Sequence, residues 1–144
     1  MRVLNKKLLI ALDGSNHSKN AVKKIINIYL SMKDCELHII HVFQKSPNIS
    51  DLKHANFNVS ELLRQKATTI LRPLLLLLEE SRCPYHLEIA IGDPAEEIIS
   101  YAKELQPLMV IVGSRGLNTL GEVLLGSVSH KVVHDSSFPV LVVK

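Results

Sequence analysis

The chain has no tryptophan, and aromatic residues make up only 4% of its 144 residues. Stacking of bases on aromatic side chains, the usual platform for single-stranded nucleic acid, therefore has few candidates. Excess charge is equally thin. The 17 Lys and Arg against 14 Asp and Glu leave a net +3, which is too little to point to a phosphate-backbone partner. No nucleic-acid partner is expected. Two cysteines, Cys35 and Cys83, make no disulfide framework and lack CxxC spacing, so they read as reduced thiols. Apolar runs are short. Leu8 to Leu12 is stopped by Asp13, too early for a secretory leader, and Leu74 to Leu78 lies between Arg72 and Glu79. Neither approaches the roughly 20 residues of a membrane span, so a cytoplasmic protein with no membrane contact is expected. The 47% hydrophobic content excludes global disorder. The length fits one domain, 1–144, with a core large enough to need no staple.

The remaining pattern alternates strands with helices. Leu8 to Leu12 reads as a strand buried on both faces, broken by the turn residues Asp13-Gly14-Ser15-Asn16. A helix is predicted from about Ser18 to Met32, with an apolar stripe of Ala21, Val22, Ile25, Ile26 and Tyr29. Glu36 to Phe43 is a second strand. Gln44 to Asn58 has no clean period and reads as a long loop with a helical turn near Leu52. Val59 to Arg82 is a long helix that Pro73 should kink or divide. Its five leucines, Leu74 to Leu78, cannot all face one core. Tyr85 to Ile91 is a third strand, and Gly92-Asp93-Pro94 supplies turn, cap and first helical residue for Pro94 to Leu105. Leu108 to Val112 is a fourth strand, Ser127 to His134 a last helix, and Val140 to Val143 a fifth strand. This order implies parallel pairing by right-handed crossovers: an α/β fold with an open, doubly wound, five-stranded parallel sheet in three layers.

In such a sheet ligands bind beyond the carboxyl ends of the strands, where strand order reverses. Two loops qualify, Asp13 to Asn16 and Gly113 to Ser127. The second reads Gly113-Ser114-Arg115-Gly116, then nine residues, then Gly126-Ser127. Glycines there let backbone N–H groups approach an anion. Gly126-Ser127 opens a helix whose N–H groups and dipole favour phosphate. Ser127 and Ser129 could add donors, and Arg115 adds charge at the rim. Neither a P-loop nor a dinucleotide fingerprint is present. The alternative for this stretch is a merely flexible Gly-rich turn.

Gly113-x2-Gly116-x9-Gly126-Ser127 resembles the nucleotide-binding signature of the ATP-binding universal stress proteins. Leu12-Asp13-Gly14-Ser15, His41-Val42, Gly92-Asp93-Pro94-Ala95, Val110 to Gly116 and Phe138 to Val143 also follow that family's pattern. The resemblance runs from Lys6 to Lys144 except across Gln44 to Asn58. Two departures are Pro107, where many members have an acidic residue, and Ala11, where some have Pro. The resemblance implies a Rossmann-like sheet of order 3-2-1-4-5, with ATP held across the first and fourth strands. It further implies that Asp13 lies at the ribose and adenine side, that the backbone of Ala11 and Leu12 lines the adenine pocket, and that Val42 reaches adenine. Gly113, Gly116, Gly126, Ser127, Val128 and Ser129 would hold ribose and phosphates. Mg²⁺ or Mn²⁺ would be held through the phosphates, as fits the lack of a carboxylate cluster.

The function expected is a nucleotide-dependent regulatory or stress-response module. The alternatives are a slow ATPase or phosphoryl-transfer enzyme on the same site, and a nucleotide-independent dimeric scaffold. No catalytic residue is expected, because no general base or activated nucleophile stands out. His38 and His41, three apart in a strand, fall on opposite faces, and His130 and His134 share a helix face without a third ligand, so no protein metal cage is expected. The family's strand order puts Val140, Leu141, Val142 and Val143 at a sheet edge. This apolar edge carries no charge before Lys144, so a homodimer is expected through it.

Overall fold

The structure, a computed structural model, describes residues 6–114 and 125–144. Five strands, β1 (Lys6–Ala11), β2 (Cys35–Phe43), β3 (Tyr85–Ile91), β4 (Met109–Gly113) and β5 (Val140–Val143), form one sheet of order β3-β2-β1-β4-β5. All four pairings are parallel. The helices are α1 (Asn16–Ser31), α2 (Ile49–His54), α3 (Val59–Glu80), α4 (Pro94–Leu105) and α5 (Ser127–Asp135).

Period-two alternation divides the strand side chains between two cores. Leu8, Ile10, Leu37, Ile39 and Ile111 face one layer with α1 and α3. Leu9, Ile40, Val110 and Val112 face the other with α4 and α5. Central β1 and β4 are buried on both faces, which is why they read as unbroken apolar runs.

The helix starts follow local capping chemistry. Asp93 caps α4 by accepting from the Glu96 N–H at 3.0 Å, with Pro94 in the first turn. Asn58 does the same for α3 through the Glu61 N–H at 3.1 Å. Two expectations are corrected. The stretch 44–58 contains a complete short helix, α2, capped by Asn48 and tied to α3 by the Lys66–Asp51 ion pair at 2.6 Å. None of its residues is buried, so it carries no hydrophobic period to read. Pro73 does not divide α3, which forms a single helix of 22 residues. Leu71, Leu74, Leu75 and Leu78 are all buried around the proline, and this packing outweighs the one backbone bond it removes. Of the five leucines, Leu76 alone is classed as exposed, at 44%.

Candidate functional site

β1 is flanked by β2 on one side and β4 on the other, so the chain winds outward from it in both directions. A cavity of about 240 Å³ opens at this switch point, beyond the carboxyl ends of β1 and β4. Ala11, Leu12 and Asp13 line it from β1, Val42 from β2, Gly113 and Ser114 from β4, and Gly126, Val128 and Ser129 from the start of α5. Ser127 is not on the wall; it is exposed at the first position of α5. Arg115 and Gly116 lie outside the described residues.

The Asp13 loop is internally braced. Asp13 Oδ1 accepts from the Ser15 N–H at 2.9 Å and from the Ser18 hydroxyl at 2.7 Å. The Asp13 N–H in turn donates to Ser18 Oγ at 3.1 Å. Partial burial pushes the Asp13 carboxyl up, but the hydrogen bonds from Ser15 and Ser18 outweigh it and hold the group below its ordinary value. Asp13 is thus an ionised acceptor at neutral pH, with one oxygen committed to the loop and Oδ2 bonded to no other described residue. Gly14 is required here: its φ is +85°, and a Cβ would stand 2.8 Å from the Ile70 side chain.

On the opposite wall, the Ser114 hydroxyl is buried with no hydrogen-bond partner among the described residues. A buried, unpaired hydroxyl is costly, on the order of 1–3 kcal/mol, so its retention calls for an explanation. Beside it, α5 begins at Gly126 with no side-chain cap. The N–H groups of its first turn therefore meet the cavity without a protein acceptor from a cap residue. Ser129 has a different task from the expected one. Its hydroxyl donates to the Gly113 carbonyl at 3.1 Å, so it joins α5 to β4 and has no proton left for a ligand in this arrangement. Gly113 also serves packing, because a Cβ there would lie 2.9 Å from the His17 carbonyl oxygen.

The end of β1 is similarly committed. The Leu12 N–H donates to the Ile40 carbonyl at 3.0 Å, and its own carbonyl pairs with His41 Nδ1 at 2.7 Å. Leu12 therefore offers a ligand an apolar wall and a second carbonyl lone pair, with no donor. Ile40, Ile98 and Val112 extend the apolar part of the lining, and Ser15, His17 and Ser18 the polar part. Ser114, Ser18 and His17 were absent from the expected site. Ser114 could have been found from its place between two signature glycines, whereas Ser18 and His17 depend on the path of the turn. Among the described lining residues the ionisable ones are Asp13 and His17. The arrangement suits a polar, anionic ligand with an apolar portion. It holds uncapped N–H groups at one end, a carboxylate acceptor at the other and hydrocarbon between.

A doubly wound parallel sheet with a crevice at its switch point defines an α/β protein of the Rossmann-like type. Comparison narrows the class: the chain matches the universal stress protein family over residues 4–144 and belongs to it. It is 34% identical to universal stress protein MJ0531 of Methanocaldococcus jannaschii, over 98% of this chain and 83% of that one. It is 31% identical to the solved structure of MJ0577 from the same organism, covering 99% and 97% of the two chains at a TM-score of 0.71. A universal stress protein crystallised in complex with cAMP shares the fold, with 23% identity, 96% of each chain covered and a TM-score of 0.69.

Proposed function

We propose that this universal stress protein binds ATP in the crevice between β1 and β4 and acts as a nucleotide-dependent regulatory module in the cytoplasm. The observation that carries the reading is the Ser114 hydroxyl, buried and unpartnered beside the uncapped start of α5. A phosphate there would accept from that hydroxyl and from the first-turn N–H groups, including that of Ser127. Asp13 Oδ2 would accept from ribose hydroxyls, and the base would lie against Ala11, Leu12 and Val42. Gly126 and Val128 would complete the described part of the phosphate side, Arg115 and Gly116 are proposed for it from the glycine signature alone, and Mg²⁺ or Mn²⁺ would ride on the phosphates. Among the described lining residues there is no lysine, and of the two ionisable groups Asp13 has one oxygen committed to its loop while His17 stands on the Asp13 side of the cavity, so hydrolysis is expected to be slower than the ordinary enzyme range of about 1 per second and above. Among the described residues, no helix is long and apolar enough to cross a membrane.

The reading includes a homodimer. β5 is an edge strand of four half-buried apolar residues. The carbonyls of Pro139 and Val143 accept from the Val110 and Ser114 N–H groups of β4. Alternation then turns the backbone groups of Val140 and Val142 to the open edge, where a second copy pairs.

Calorimetry with ATP and GTP on nucleotide-stripped protein tests the site. ATP is expected to bind more tightly than GTP, and absence of ATP heat at millimolar concentration would end the reading. Mass spectrometry of nucleotide released from freshly purified protein provides a second check.

A further inference from the structure

On the α4 face of the sheet, away from the switch point, β2 and β3 bring three ligating side chains together. His38 and His86 are register partners in the parallel pair, so their side chains stand next to each other on one face. Their rings stack with centroids 4.7 Å apart and an interplanar angle of 19°. Glu36 lies two residues before His38 and so shares that face, with Oε2 3.1 Å from His38 Nε2. One ligand atom from each of the three residues lies within 4.8 Å of the others. Helix α4 closes the cluster from above, placing the Tyr101 hydroxyl 3.4 Å from His38 Nδ1.

We propose that Glu36, His38 and His86 form a binding site for a divalent transition-metal ion such as Zn²⁺, separate from the nucleotide crevice. Two imidazoles and one carboxylate suit ions of borderline hardness and leave a fourth position for water or a further ligand. Metal–ligand bonds of about 2.0–2.2 Å put tetrahedral ligand atoms roughly 3.4 Å apart. The His38–Glu36 pair already has nearly that spacing. Even the widest separation in the trio has to close by only about 1.4 Å. His86 is exposed and can make that movement, which also gives the ion a way in.

The surroundings favour the ion. Glu36 supplies an oxygen ligand beside the two imidazoles, already in contact with His38. Tyr101 engages the other nitrogen of His38, the outer-shell contact that sets which ring atom faces a metal. A recess of about 80 Å³ next to Tyr101 is lined by Glu88, Glu97 and Glu104, adding negative potential along the same face. Lys7, the register partner of Glu36, is an opposing charge among the described residues that bound metal would face. The site was not legible in the sequence, because Glu36 and His38 meet His86 only through the β2–β3 register.

The test is a Zn²⁺ titration of the full chelator-treated chain by calorimetry at pH 7.5 without nucleotide. Co²⁺ absorption reports coordination number. One ion per chain is expected, with a Kd of about 1 µM or tighter. His86→Ala and Glu36→Gln should each weaken binding at least about tenfold, and Tyr101→Phe, which removes a positioning contact, by about tenfold. The exposed pair His130 and His134 on α5 is the main rival, so His130→Ala should leave binding unchanged. Circular dichroism confirms that each variant is folded. No Zn²⁺ binding at about 100 µM, wild-type affinity in both His86→Ala and Glu36→Gln, or loss of binding in His130→Ala would each overturn the proposal.

Discussion

The two halves of the sheet are built to different specifications. On one side of β1, β2 and β3 run nine and seven residues and carry Glu36, His38, His41, His86 and Glu88 among their apolar positions. On the other side, β4 and β5 run five and four residues and carry no ionisable side chain. The outer strand of the long half presents His86 and Glu88, and Arg64 from α3 reaches the Leu87 carbonyl at 3.5 Å. Charge of this kind protects an edge against further pairing. The outer strand of the short half, Val140–Val143, carries no charged side chain of its own. Polar edge chemistry thus marks one side, while the other side ends in an apolar strand, the edge to which the proposed dimer is assigned. The candidate crevice lies at the seam, where both halves start from β1.

The largest effect should come from breaking the short half's edge. Val142→Pro removes an N–H that points away from β4, so the internal ladder survives while pairing with a second copy is lost. Light scattering should change from a dimer to a monomer of 16.1 kDa. A charge reversal on the other edge, Glu88→Lys, should leave the mass unchanged. Dissociation by Glu88→Lys with Val142→Pro still dimeric would reverse the assignment of the two edges.

Next is the crevice itself. Gly126→Val puts a branched side chain at the mouth of α5 and should weaken ATP at least about tenfold, or 1.4 kcal/mol. Zn²⁺ binding in the long half should be unaffected, since the two sites share no residue. A smaller and more informative change is Ser114→Ala. Its hydroxyl has no partner among the described residues, so the ligand-free protein should be as stable as wild type or more stable by about 1 kcal/mol. ATP affinity should nonetheless fall severalfold, again by about 1 kcal/mol. Denaturant midpoints and calorimetry on the same preparation check both signs. A destabilised ligand-free protein would mean the hydroxyl serves the fold instead.

Legibility in the sequence followed burial. β3, α4 and β5 lie where apolar spacing and turn chemistry put them, because Gly92-Asp93-Pro94 and Phe138-Pro139 punctuate the chain sharply. The sheet order came from likeness to a family, since no residue pattern says on which side of β1 a strand is laid. Only a helical turn near Leu52 is legible in place of the full α2, because nothing in that helix is buried, and local propensity at Pro73 points to a kink or a division where the surrounding leucines keep α3 in one piece. Within the site, Asp13, Gly113 and Gly126 follow from strand ends and glycine spacing. The bond that commits the Ser129 proton to Gly113 follows only from tertiary geometry, as does the meeting of His38 with His86.

The smallest predicted effect concerns Asp13 at the seam. Its folded pKa lies below the unfolded value of about 3.9, because the bonds from Ser15 and Ser18 outweigh the cost of partial burial. A carboxylate shifted this way adds stability that is fully present above the unfolded pKa. That contribution is lost as pH falls through the folded pKa. Asp13→Asn keeps an Oδ1 acceptor for Ser15 and Ser18, so the turn should persist and only the charge is removed. Above about pH 4 the wild type should therefore be the more stable protein, by a small margin because the side chain is only partly withdrawn from solvent. Below that the difference should shrink towards zero, so urea midpoints from pH 7 down to about pH 2.5 should converge. Converging curves would identify the Asp13 charge as part of the folded seam. Parallel curves would mean that its two hydrogen bonds act through geometry alone, and that the carboxylate is kept for the ligand.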